Sequence, residues 1–315
     1  MESGALKIDD INEGIVSSVK VGDGLYVVCI CVNAPALLYN KTLLDEAGIE
    51  VKDQMTIDEF VALSKEIYEK TAYKTNLGYG TDMVLGYILR GYGVDLLEDG
   101  KLNITAEDAE KIFTLYEQGI SEGWMVGSEV FAETSVGTVE QDPMIYGSTP
   151  EYMSWCAPFW SNQVTAMQAA APEGVEIGIT TWPSPDPVKS NYLKPSQFFS
   201  VAAKTQHPDT AVAVVDFWTN SIPANEILLG ERGIPASAAT AAGIADKLDD
   251  VNKKVVAYIN DVVSPNCSAV PVADPAGASE FYSIVDELEE ALCYGATTAA
   301  DAAAQLIDGC PADLK

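Results

Sequence analysis

Apolar positions recur along the chain with two periods. Leu25-Tyr-Val-Val-Cys-Ile-Cys-Val32 is apolar and rich in β-branched residues, Asn33-Ala-Pro35 interrupts it, and Ala36-Leu-Leu-Tyr39 resumes. This pattern predicts a strand, a kink and a second strand, as at a crossing between two lobes. Lys41 to Ala47 predicts a short helix stopped by Gly48. Thr56 with Glu59 is a capping box ahead of the stripe Ile57, Phe60, Leu63, Ile67 and Tyr68. A second capped helix begins at Thr105 and buries Ala109, Ile112, Phe113 and Tyr116. Short strands are expected at Thr75 to Tyr79, Ile177 to Trp182 and Phe198 to Ala203, and a short helix at Val84 to Leu89. A helix from Pro208 to about Asn220 follows, with Pro208 at its first turn. Later helices are expected at about Lys247 to Val263, Ser279 to Tyr294 and Thr298 to Asp308. Helices alternating with short strands define an α/β chain.

Composition narrows the chemistry. In 315 residues, 18 Lys plus Arg stand against 47 Asp plus Glu, a net charge of −29. Such a surface repels phosphate backbones and anionic lipid, so nucleic acid is not an expected partner. His207 is the single histidine, which argues against a histidine-based metal site or a Ser-His-Asp triad. No cofactor or metal is implied. No run of about 18 apolar residues occurs, so no transmembrane helix is expected. The first ten residues lack a basic region and an apolar region, so no signal peptide is expected in this chain. Of six cysteines, Cys29 and Cys31 share one strand face, an awkward geometry for a mutual disulfide. Most read as small buried hydrophobes, with Cys293 and Cys310 left as a candidate bridge.

Several blocks together carry a resemblance. Ala36-Leu-Leu-Tyr-Asn-Lys-Thr-Leu-Leu-Asp-Glu-Ala-Gly48 and Thr56-Ile-Asp-Glu-Phe60 are followed by Trp160-Ser-Asn-Gln163 and Lys194-Pro-Ser196. Phe217-Trp-Thr-Asn-Ser221 and Glu231-Arg-Gly-Ile-Pro235 come next. In this order they resemble the extracellular solute-binding proteins of ABC sugar importers, the maltose-binding-protein-like family 1. The resemblance implies a two-lobed periplasmic-binding-protein type II-like α/β fold that closes about a hinge on a sugar. It assigns residues 1–33 plus 196–240 to an N-terminal lobe, and 36–193 plus 246–315 to a C-terminal lobe. Set against the family's pattern, the signal segment and first strands are expected to be missing from this chain, the N-terminal lobe to be incomplete and the chain to be a truncated form. The implied protein is a non-catalytic monomer, extracellular as a lipoprotein or periplasmic in its full-length form, that delivers sugar to a membrane permease.

A sugar site needs aromatic platforms and convergent polar groups. Trp160 and Trp155 lie beside the Ser161-Asn-Gln163 polar cluster and are platform candidates, or else core. Asn162 and Gln163 either bond hydroxyls or cap the next helix. Asn33 lies at the lobe crossing, where it reaches a ligand or forms the turn before Pro35. Asp82 offers a carboxylate to hydroxyls or caps a helix. Tyr92, in Arg90-Gly-Tyr-Gly93, could stack, with Arg90 in a surface ion pair. Trp182 lines the site or covers the core, Ser196 follows the returning crossing, and Phe281 opens a helix where maltose-type relatives supply an aromatic. Arg232 reads as structural, holding its loop through an ion pair. A same-fold receptor for a non-sugar solute is the alternative, and a glycoside hydrolase a weaker one, because no pair of acids stands out beside the aromatics.

Overall fold

The computed structural model describes residues 6–78, 82–135 and 137–315, with the side chains of 82 and 83 excepted. Six strands organise the chain: β1 (Val28–Asn33), β2 (Pro35–Asn40), β3 (Cys156–Trp160), β4 (Ile177–Thr180), β5 (Lys194–Phe199) and β6 (Ile234–Pro235). They form two three-stranded sheets, in the orders β6-β1-β5 and β3-β2-β4. The chain divides into two compact units. One comprises Met1–Pro35, Trp160–Thr165 and Tyr192–Val270, the other Ala36–Phe159, Ala166–Asn191 and Pro271–Lys315.

In the first unit β1 is central and every residue of it is buried, which is why it reads as an unbroken apolar run. Both its partners run antiparallel. Along β5 the register runs from Val28 opposite Phe199 to Asn33 opposite Lys194, with two irregularities around Cys31. β5 is an edge strand and so tolerates Pro195, whose ring cannot donate to a ladder. The strand therefore lies at 194–199 and not at the expected Phe198–Ala203, because pairing with buried β1 outweighs the apolar cue of 198–203. The helix Pro208–Asn220 forms as expected, with Pro208 at its first position. The expected helix at 247–263 instead runs over Asp250–Ala257 and widens into a π-turn, Tyr258–Val263. The Tyr258 hydroxyl donates to the Pro35 carbonyl. That bond helps to hold this tail segment in the first unit, whereas the resemblance assigns 246–270 to the other lobe.

In the second unit β4 pairs antiparallel with β2, from Leu37 opposite Thr180 to Asn40 opposite Ile177. Helix Ile57–Thr71 carries the reciprocal Thr56–Glu59 cap, and Ala106–Ser121 carries the same arrangement between Thr105 and Asp108. Ala278–Cys293 and Ala299–Asp308 pack with Ala106–Ser121. The core holds Phe60, Phe113, Tyr116, Trp124, Trp155, Trp182 and Phe281. The expected strand at 75–79 is reduced to single parallel bridges, Lys74 with Ser154 and Thr75 with Met125; Tyr79 lies outside the described residues. None of the six cysteines is disulfide-bonded, so the candidate Cys293–Cys310 bridge does not form. Among the described residues no helix is long and apolar enough to cross a membrane.

Candidate functional site

The first unit gathers a cluster where β1 ends. The Ser161 amide donates to the Ala34 carbonyl at 2.9 Å, and the Ala34 amide donates to Ser161 Oγ at 3.1 Å. These two bonds tie the residue after Trp160 to the residue after Asn33. Gln163 Oε1 accepts from the Trp160 amide at 3.0 Å and closes the 3-10 turn Ser161–Gln163, so Gln163 takes the capping alternative. Asn162 sits half-buried in the same turn.

Trp160 is half-buried. The Lys194 ammonium lies 3.7 Å from the centre of its indole, and Tyr192 meets it edge-on at 6.3 Å. An ammonium at that distance is held by the negative face of the ring. Lys194 is also the cross-strand neighbour of Asn33, and such pairs project from the same sheet face. Asn33 is 6% exposed, and its Oδ1 is buried with no hydrogen-bond partner among the described residues. Buried acceptors of this kind are rare, because leaving one unpaired costs about 1–3 kcal/mol.

Glycine shapes the floor. Gly233 has φ +114°, and a Cβ there would lie 2.8 Å from Asn33 Oδ1 and 2.9 Å from Ser196 Oγ. Two polar atoms thus converge where only hydrogen is tolerated. Ser196 Oγ donates to the Cys31 carbonyl at 3.0 Å, with the Arg232 carbonyl at 3.3 Å, which braces the loop while leaving the oxygen able to accept. Arg232 itself is exposed and makes no ion pair among the described residues, contrary to expectation; its loop is held through backbone carbonyls. Burial pushes the Cys29 thiol up to about 11 and the Cys31 thiol to about 12, the latter also by its neighbour Cys29. Both are therefore protonated at neutral pH and neither is a nucleophile.

Asn33, Trp160, Asn162, Gln163 and Ser196 thus share one unit. Tyr92, Trp155, Trp182 and Phe281 belong to the other, as does Asp82, which opens the helix Asp82–Gly91 and whose side chain lies outside the described residues. Three of these candidates require correction. Trp155 has no exposed surface, packs on Phe60 and donates its indole N–H to Thr75 Oγ1 at 2.8 Å, so it is a core residue. Trp182 is 1% exposed and takes the edge of Tyr87 at 5.0 Å. Phe281 is wholly buried in its helix's packed face. Tyr92 stays exposed, with the Lys111 ammonium 5.4 Å from its ring centre, and Arg90 pairs with Asp95 at 2.9 Å. Sequence reasoning missed Lys194, Tyr192, Ser161 and Gly233 as members of the cluster. For Lys194 the available signal was its two-residue spacing from Ser196 along one strand.

Solved structures share this fold. A family 1 extracellular solute-binding protein from Alicyclobacillus acidocaldarius matches with a TM-score of 0.84 at 20% identity, over 98% of this chain and 76% of that one. An oligogalacturonide-binding protein from Yersinia enterocolitica, solved with digalacturonic acid, matches at 0.76 and 21% identity over 97% and 76% of the two chains. A cyclic α-maltosyl-1,6-maltose-binding protein from Arthrobacter globiformis matches at 0.69 and 18% over 99% and 79%. In sequence, residues 3–222 match the family described as bacterial extracellular solute-binding protein. The chain belongs to the bacterial extracellular solute-binding proteins.

Proposed function

We propose that this chain is a non-catalytic saccharide receptor of an ABC importer, and that it holds sugar at the Asn33–Trp160–Lys194 cluster. The observation that carries the reading is the buried Asn33 Oδ1, unpartnered among the described residues, whose cross-strand neighbour Lys194 lies over the half-buried Trp160 indole. A sugar offers hydroxyl donors to the first and an apolar C–H face to the second. Solute-binding relatives of the same fold bind oligogalacturonide and a cyclic maltosyl-maltose. None of Asn33, Trp160, Ser161, Asn162, Gln163, Tyr192, Lys194 and Ser196 is acidic. Glycoside hydrolysis needs two carboxylates flanking the bond, so the cluster suits capture and not cleavage. The receptor is a monomer that works outside the cell, anchored as a lipoprotein or free in the periplasm, and passes its sugar to a membrane permease.

Thermal unfolding against a panel of mono- and oligosaccharides, with a product check on each mixture, tests the reading. A ligand at 100 times its Kd adds about 2.7 kcal/mol to stability. A shift without products is expected for at least one saccharide. Products, or a cooperative transition that no saccharide moves, would overturn it.

A further inference from the structure

Among the described residues, Lys194 is the cation that lies over the Trp160 ring. Only 18 of 315 residues are Lys or Arg, against 47 acids. Yet the fold sets this ammonium over the indole proposed as the sugar platform and opposite the buried acceptor Asn33. A neutral sugar needs no charge there, since amide and hydroxyl groups suffice to pair its hydroxyls. An anionic sugar does need one, because it approaches a protein of net charge −29 whose long-range field opposes it.

We infer that the saccharide taken by this site is anionic, bearing a carboxylate or sulfate group, with Lys194 as its counter-ion. The inference rests on the receptor reading above. The ammonium at rest is held by the indole face. A carboxylate or sulfate oxygen forms a charge-assisted bond with the same ammonium, a stronger interaction than the ring provides. The anion therefore draws Lys194 toward itself and uncovers the indole for the sugar's C–H face. Asn33 Oδ1, which can only accept, pairs with a ring hydroxyl and not with the charged group. Charge, stacking and hydroxyl recognition thereby fall to three different residues of one cluster.

Titration calorimetry on the full chain tests this with uronate oligosaccharides such as digalacturonic acid, sulfated disaccharides, and neutral counterparts such as galactobiose. Lys194→Met and Trp160→Ala are compared with the unaltered chain. Methionine preserves the apolar stem over the ring and deletes only the charge. At least one uronate or sulfated probe should bind, its neutral counterpart about tenfold more weakly. Lys194→Met should remove most of that preference. The uronate and sulfated arms tell which anionic group is read. Neutral sugars binding as tightly as acidic ones, with Trp160→Ala still abolishing binding, would overturn the charge inference and leave the receptor reading intact. Binding that survives Trp160→Ala unchanged, or no binding by any probe, would overturn both.

Discussion

Ser161 and Ala34, 127 residues apart, bond each other twice, amide to carbonyl at 2.9 Å and amide to hydroxyl at 3.1 Å. Both residues are wholly buried, so neither amide has water as a substitute. This pair ties the turn that follows Trp160 to the residue that follows Asn33.

Ser161→Ala leaves the Ala34 amide buried and unpaired. The expected cost is about 1–3 kcal/mol, read as a lower urea midpoint at unchanged m-value. Saccharide affinity should fall as well, since the turn carrying Trp160 loses one of its two ties. An unchanged midpoint would show that the hydroxyl is dispensable.

The two neighbouring tryptophans should behave oppositely. Trp155→Ala removes a fully buried side chain and its bond to Thr75, for an expected loss of about 3–5 kcal/mol. Trp160→Ala removes a half-buried ring and should cost clearly less stability while removing saccharide binding. Denaturation and binding measured on both variants distinguish core from platform.

Gly233→Ala places a methyl group 2.8 Å from Asn33 Oδ1 and 2.9 Å from the Val32 carbonyl, at a φ that L-residues rarely adopt. Strain of about 1–3 kcal/mol is expected, with affinity reduced by displacement of Asn33. A variant as stable and as tight-binding as the parent would contradict the crowding described here.

Asp142 should give the second unit a distinct pH signature. It is fully buried, and burial pushes its carboxyl up to about 7 despite amide donors from Met144 and Gly137 and the Asn76 side chain. A carboxyl raised on folding contributes stability that is full below its unfolded value near 3.8 and is lost as pH rises through about 7. The difference in unfolding free energy between the parent and Asp142→Asn should therefore slope between pH 4 and 7 and flatten above, with a span on the order of a few kcal/mol. A difference independent of pH would show that Asp142 is ionised in the folded chain at all these values.

Local signals in the sequence located the elements, and distant pairings decided the site. Thr56 with Glu59, Gly48 and Pro208 act within one helical turn, so their helices begin or end where the sequence places them. The buried strand that ends at Asn33 was equally legible, since burial on both faces leaves a nearly unbroken apolar run. By contrast, Trp155 and Trp160 are indistinguishable by residue type. What separates them is Thr75, 80 residues away, and Lys194 on a strand contributed later in the chain. That strand was itself hard to see, because an edge position admits Pro195 and Gln197, which no strand propensity favours.

The most direct test of the central claim is fluorine NMR of the chain labelled with 5-fluorotryptophan. Its five tryptophans are Trp124, Trp155, Trp160, Trp182 and Trp218, and the Trp160 resonance is assigned as the one missing from Trp160→Phe. On addition of a saccharide that raises the unfolding temperature, the Trp160 resonance should move far more than those of buried Trp124, Trp155 and Trp182. A bound saccharide that leaves Trp160 unmoved would place the site elsewhere and contradict the account.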